Sequence, residues 1–443
     1  MILPQIRFFR CGQRGISPIQ KIISPSGTLA AKEDRLFSWG HLKSNSMKTT
    51  LLASALLASG FLVWKYSPYQ YLPDTESKLA TTTHNYVISP SAEDNTHIQV
   101  ALLLDTSNSM DGLIDQAKSR LWNIINTLTT LKYKGKAPVI EIALYEYGND
   151  GLSPAGNFIR QVTPLTTDLD LISEKLFALR TNGGSEYCGA VITQAVKSLH
   201  WGKNEADMKL IYIAGNEPFN QGRISYKEAT SEAVGKSIFV NTIYCGDKTE
   251  GIQSNWKDGA DRGHGQYFNI DADRKVVFIE TPYDEKIAAC NDRINQTYIG
   301  YGTYGESRKT NQAVQDQNAK SLSAANSTER YVSKSKKGVY RNESWDLVDR
   351  VNQDKSVLKT ISKGDLPKEL QEKSVAELEV LIAAKTKERE SIQNEMTALA
   401  KQRQKYIDEA AKKTATATAD DLGAAINRSI VRLATTKGYT TEN

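Results

Sequence analysis

Between Ile98 and about Tyr301, apolar runs of strand length alternate with amphipathic segments of helical length. No other feature constrains the fold as tightly, because such alternation buries its apolar faces best as a sheet covered by helices on both sides. The predicted strands are Ile98–Leu104, Val139–Tyr147, Phe158–Thr163, Met208–Ala214, Phe239–Tyr244 and Gln266–Ile270. The predicted helices are Leu113–Leu131, Asp168–Leu179, Gly189–Leu199, Tyr226–Ser237 and Asp284–Gln296. The runs IQVALLL and MKLIYIA are almost wholly apolar, which assigns them to central, doubly covered strands. The expected fold class is therefore α/β, a doubly wound and mostly parallel sheet, followed by a helical C-terminal region.

Beyond residue 301 no strand signal is present. Residues 301–365 read as a polar, partly helical linker, and 366–413 as a charged helical segment. The latter holds ten Lys or Arg and nine Asp or Glu in 48 positions. Leu378, Lys385, Ile392, Leu399 and Tyr406 recur every seven residues, with Ile382, Arg389, Met396, Arg403 and Ala410 as a companion row. This is a coiled-coil-like heptad pattern. The cations in its seam disfavour a parallel homodimer and favour pairing with residues 309–360 or with a partner helix bearing Glu. Residues 414–443 read as a tail with a short helix, Leu422–Leu433.

At the other end, Leu51 to Trp64 is a 14-residue uncharged apolar run behind Met47-Lys48. That layout is a secretory signal or signal-anchor over 47–66, and the run is short of the ~20 residues of a transmembrane helix. The 1–46 extension is basic. Either translation starts at Met47, or these residues form a cytoplasmic tail held inside by their charge. Residues 67–97, rich in Pro, Thr and Ser, read as a linker. The expected location is the periplasm or cell surface, with a membrane tether through 51–64. A net charge of +5 over 443 residues gives no reason to expect nucleic acid as a partner.

The chemistry concentrates in LLLDTSNSM, residues 102–110. Asp105, Ser107 and Ser109 form D-x-S-x-S at the carboxyl end of an apolar strand, the edge where open α/β sheets bind ligands. One carboxylate and two hydroxyls on a turn are hard oxygen donors suited to Mg²⁺, Mn²⁺ or Ca²⁺. The same residues also suit a metal-free helix cap and Asx-turn.

Over about residues 98–300 the chain resembles the von Willebrand factor A (vWA) domain, a Rossmann-like fold, with its metal-ion-dependent adhesion site. The resemblance implies a second element, a Thr behind a Gly pair. Here Gly183-Gly184 is followed by Ser185, which keeps the hydroxyl. It implies a third, an Asp after the fourth strand, and here the sequence departs: Gly215 stands at that position. Asn216 or Glu217 is close enough in sequence to supply the missing oxygen, and Glu186 could offer a carboxylate. The expected ligand set is Asp105, Ser107, Ser109, Ser185 and Glu217. An Asp restored at 215 is expected to tighten binding unless Gly215 needs a positive φ. The strings SWDLVD (344–349), LPKEL (366–370), KERESIQ (387–393) and KQRQKYI (401–407) resemble the tail of exported bacterial A-domain proteins, which speaks to domain order alone.

Cys188 and Cys245 fall at this same edge, and in an oxidising compartment a disulfide between them is one expectation, two part-buried thiols the other. Cys290 reads as a small core residue. His41, His84, His97, His200 and His264 have no metal-ligand spacing, and no nucleophile elbow, Walker loop or dinucleotide fingerprint is present. The expectation is a non-enzymatic binding module whose divalent cation receives an acidic residue of a protein partner. The competing expectation is a scaffold with an empty site, working through its helical tail.

Overall fold

The computed structural model describes residues 96–336, 338–414 and 422–441. The segments 1–46 and 47–66, and all but the end of the 67–97 linker, lie outside the described residues. Among the described residues no helix is long and apolar enough to cross a membrane.

Six strands form the main sheet: β1 (His97–Asp105), β3 (Val139–Tyr147), β4 (Ile159–Thr166), β5 (Met208–Gly215), β6 (Ile238–Cys245) and β7 (His264–Ile270). Their order is β4-β3-β1-β5-β6-β7. All neighbours are parallel except the β3–β4 edge pair. Order reverses on either side of β1, the hallmark of a doubly wound sheet. The fold class expected from sequence is the one observed, with β1 and β5 at the centre.

Successive side chains on β1 serve opposite cores, as strand pleating requires. Ile98, Val100, Leu102 and Leu104 face helices α1 (Asp111–Thr129) and α2 (Leu169–Ala178). Ala101 and Leu103 face α3 (Cys188–Ser198) and α4 (Tyr226–Gly235). Two short helices, α5 (Lys248–Gln253) and α6 (Trp256–Arg262), link β6 to β7, and α6 buries Trp256 in the second core.

The C-terminus returns to the sheet. Helix α13 (Leu422–Thr436) puts Leu422, Ile426, Ile430 and Leu433 into the same core as Leu102, Leu104, Tyr212 and Ile243. Complete burial of side chains of this size contributes roughly 1.5–3 kcal/mol each. The Ser429 hydroxyl donates to Asn241 of β6 at 2.7 Å. Behind it, β8 (Tyr439–Thr441) pairs antiparallel with β2 (Leu131–Tyr133). The expectation of no strand after residue 301 is thereby corrected: a three-residue strand carries no periodicity, and its pairing partner lies some 300 residues away.

Between these parts run α7 (Asp284–Asn295), α8 (Gly305–Leu322), α9 (Ala324–Lys334), α10 (Leu347–Gln353), α11 (Val357–Thr360) and the long α12 (Val375–Thr414). Leu378, Ile382, Arg389, Ile392, Met396 and Arg403 of the heptad rows form the buried face of α12, with Lys385 part-exposed and Tyr406 exposed, and the partners of this face belong to the same chain. Leu378 and Ile382 pack with Leu347, Val348, Val351 and Leu358. Ile392 and Met396 pack with Ile287, Cys290, Ile294, Tyr331 and Val332. The seam cations meet acids of neighbouring helices: Arg389 pairs with Asp346 at 2.7 Å and Asp349 at 2.6 Å, and Arg403 with Asp284 at 2.9 Å. A second buried set joins this helical layer to the sheet. Fully buried Arg330 pairs with Asp170 of α2 and Asp316 of α8, and Lys334 with Asp316.

Candidate functional site at the carboxyl edge of the sheet

Strand β1 ends at Asp105, and a single 3-10 turn over Asn108–Met110 leads into α1. Asp105 is fully buried, with Oδ1 accepting the Ser107 amide at 2.8 Å. This is the Asx-turn that the sequence allows. Its other oxygen, Oδ2, is buried and receives no donor from the protein. The hydroxyls of Ser107 and Ser109 lie 3.3 Å apart. Asn216 Nδ2 donates to Ser109 at 3.2 Å, whereas Asn216 Oδ1 is buried without a donor. Ser109 itself is exposed, so the cluster opens to solvent on that side.

The loop after α2 closes the other side. Asn108 N–H donates to the Gly183 carbonyl at 2.8 Å, and Asn182 N–H to the Thr106 carbonyl at 3.0 Å. The Thr181 hydroxyl donates to Asp111. Held this way, the loop buries Glu186 beside Ser107, whose side chain favours its ionised form. Gly148, at the end of β3, has φ +78°. A Cβ there would stand 2.7 Å from Glu186 Cγ and 2.9 Å from Asp105 Oδ1. Glycine is thus required twice over, by backbone and by space.

Two carboxyls share this recess. Burial, with smaller contributions from the charges of Glu186 and Glu217, pushes Asp105 up to about 7. Burial also raises Glu186, with Glu217 and Asp150 adding repulsion. Both shifts express the cost of charged carboxylates that have lost water and gained no protein cation. Among the described residues, no three His, Cys, Asp or Glu side chains converge as a metal cage. The donors here are instead carboxylates, hydroxyls and an amide oxygen, a set fitted to a hard divalent cation. Two of these oxygens, Asp105 Oδ2 and Asn216 Oδ1, lack any other partner.

No family model and no curated protein matches the sequence. Solved structures with a similar sheet include BatB from Bacteroides thetaiotaomicron, 16% identical over 39% of this chain and 90% of its own, with a TM-score of 0.31. The VWA domain of SpRpn10 is 14% identical over 39% of this chain and 87% of its own, with a TM-score of 0.30. An aerotolerance-related membrane protein from Bacteroides fragilis is 18% identical over 40% and 93%, with a TM-score of 0.27. Likenesses at this level say nothing of what the chain binds.

The structure brings Asp105, Ser107 and Ser109 together as a cluster and adds Asn216. Glu217 stands at the same edge, half-buried, with Oε2 accepting from Gln221 at 3.0 Å. Ser185 is half-buried, and it is the next residue, Glu186, that reaches Ser107. Of the two expectations for Cys188 and Cys245, the unpaired thiols are found and the disulfide is not; both are buried where part-burial was expected. Cys188 belongs to the α3/α4 core and Cys245 to the α1/α13 core, so the sheet separates them. Cys188 Sγ lies 3.9 Å from the Tyr147 hydroxyl. Cys290 is a buried core residue, as expected. Sequence reasoning missed Tyr147, which donates to the Ala214 carbonyl at 2.9 Å beneath the site. The sequence showed it as the last residue of a predicted strand, but its pairing with Asp105 is visible only in the structure.

Proposed function

We propose that this chain is a non-enzymatic binding module of the vWA type, which holds a divalent cation at the Asp105 cluster and presents it to an acidic group of a protein partner. The observation that carries the reading is the buried, donor-free Oδ2 of Asp105, at the carboxyl edge of the sheet beside two hydroxyls. A divalent cation with an open position accepts a further carboxylate, since such ions take six to eight oxygen ligands or keep several waters. The Ser109 side of the cluster, open to solvent, is where that carboxylate would enter. The signal-like run at 51–64 supports an exported, membrane-proximal module.

The scaffold reading loses ground, because the seam that would recruit another helix is filled by the chain's own Leu347, Val348, Ile287 and Ile294. Calorimetric titration of the full chain with Mg²⁺, Mn²⁺ and Ca²⁺ tests the proposal, with Asp105→Ala as the negative control. Heat of binding in the parent chain and none in the variant is expected, and capture of a carboxylate-bearing partner should be abolished by chelator. Identical titrations for the two chains would refute it.

A further inference from the structure

We propose that Glu186 is the second anionic ligand of the cation, in place of a carboxylate at position 215. The proposal rests on the cation reading above and says which side chain completes the site.

Position 215 is closed to side chains. A Cβ on Gly215 would lie 2.5 Å from the Tyr147 hydroxyl and 3.0 Å from Asp105 Oδ2. The resemblance-based ligand cannot be restored there without moving a buried tyrosine. Glu186 reaches the recess from the opposite wall, on the loop that joins α2 to α3. The point that a Gly148 Cβ would occupy is within 3.0 Å of both Glu186 Cγ and Asp105 Oδ1. A Cβ on Gly184 would collide with Glu186 Oε1 and stand 3.4 Å from the Ser107 Cβ. Glycines on two separate segments, β3 and the loop itself, therefore leave the space in which the Glu186 carboxylate lies beside Asp105 and Ser107.

The second, independent pointer is Asp105 Oδ2, a fully buried oxygen without a donor. Glu186 is nearly as buried, at 6% exposure. The charges acting on it come from Glu217, Asp150 and Asp105, all of its own sign. A buried carboxylate pair with no protein cation is costly. One divalent ion between them turns that repulsion into coordination, with Ser107, which stands beside both side chains, as the shared hydroxyl.

Glu186→Gln tests the assignment, since it keeps size and the Ser107 contact and removes the charge. Mn²⁺ binding by calorimetry and thermal melting are read on the full chain, with Glu217→Gln and Asp105→Ala beside it. Glu186→Gln is expected to weaken Mn²⁺ by about tenfold or more. It should also raise the melting point without metal and shrink the Mn²⁺-induced rise. Glu217→Gln is expected to stay within about twofold, as befits a half-exposed group with its own partner. If Glu186→Gln binds like the parent, or if Glu217→Gln produces the larger loss, the assignment falls while the cation reading stands. If the parent chain itself binds no divalent ion, both fall together. A lower metal-free melting point with the Mn²⁺ response retained would mark Glu186 as structural and overturn the assignment.

Discussion

The phenol oxygen of Tyr147 lies 2.5 Å from the point a Cβ on Gly215 would occupy, and it is fixed there by its hydrogen bond to Ala214. The obstacle to an Asp at 215 is therefore steric. Gly215 is not among the glycines with positive φ. Contrary to the expectation from sequence, Gly215→Asp should not tighten divalent binding. It should destabilise the fold by about 1–3 kcal/mol, as overpacking does, and more if the new carboxylate stays charged beside Asp105. Urea denaturation and a Mn²⁺ titration check this. Adding Tyr147→Phe removes the colliding oxygen and should recover part of the loss. A stable Gly215→Asp chain with tighter binding would contradict this account.

The cation should stabilise the chain more at high pH than at low. Without metal, the folded chain holds the Asp105 proton with a value pushed up to about 7, chiefly by burial, against the ordinary 3.8. The folded state then binds more protons than the unfolded one between these values. That contribution is full below 3.8 and is lost as pH rises through about 7. A divalent ion takes the proton's place and needs the carboxylate ionised. The Mg²⁺-induced rise in melting temperature should accordingly be larger near about pH 8 than near about pH 5.5. Calorimetric scans at both values, with and without the ion, decide it; equal rises would remove Asp105 from the ligand set.

Much of this architecture was legible in the chain. All six sheet strands were read within three residues at their ends, because Val139–Tyr147 or Met208–Gly215 carry their burial in their own residue pattern. The heptad rows of α12 were likewise read as a buried face. Pairing with residues 309–360 was among the expectations, and Leu347, Val348, Tyr331 and Val332 supply it, whereas the individual contacts were not readable, since pairing of Arg389 with Asp346 joins residues 43 positions apart and leaves no local trace. The helix α13 was read over Leu422–Leu433, but its docking beside Leu102 and Tyr212 is decided only in three dimensions. The short helices α5 and α6 escaped for a simpler reason: six or seven residues are too few to establish a helical period. At the site, D-x-S-x-S marked the turn, whereas choosing among Ser185, Glu186 and Glu217 required knowing which way the loop closes.

Arg389 offers a test of how the helical layer is held. Its guanidinium also donates to the Thr297 carbonyl at 2.8 Å and stacks over Tyr298 at 4.3 Å. Arg389→Ala leaves Asp346, which is fully buried, without its cation. Breaking a buried pair from one side costs about 3–5 kcal/mol. Lys385, also a heptad position, pairs with Glu388 on its own helix at 2.9 Å. Lys385→Ala should change stability by less than about 0.5 kcal/mol. Urea unfolding of both variants distinguishes a buried anchor from a solvated face. Equal, small effects would show that α12 is not held through Arg389.

Helix α13 is held on the sheet by one face only. A dispensable tail would tolerate substitution anywhere along α13. The structure instead makes Ile430 part of the core that covers β1 and β5, while Val431, its immediate neighbour, is 41% exposed. Ile430→Ala should cost about 2–5 kcal/mol, the range for large-to-small changes at a packed site. Val431→Ala should lie within about 0.5 kcal/mol of the parent. Because both substitutions sit on one helix and alter its propensity in similar ways, the difference between them isolates burial. Chemical denaturation of the full chain gives that difference directly. If the two variants unfold at the same denaturant concentration, α13 does not pack on the sheet as described.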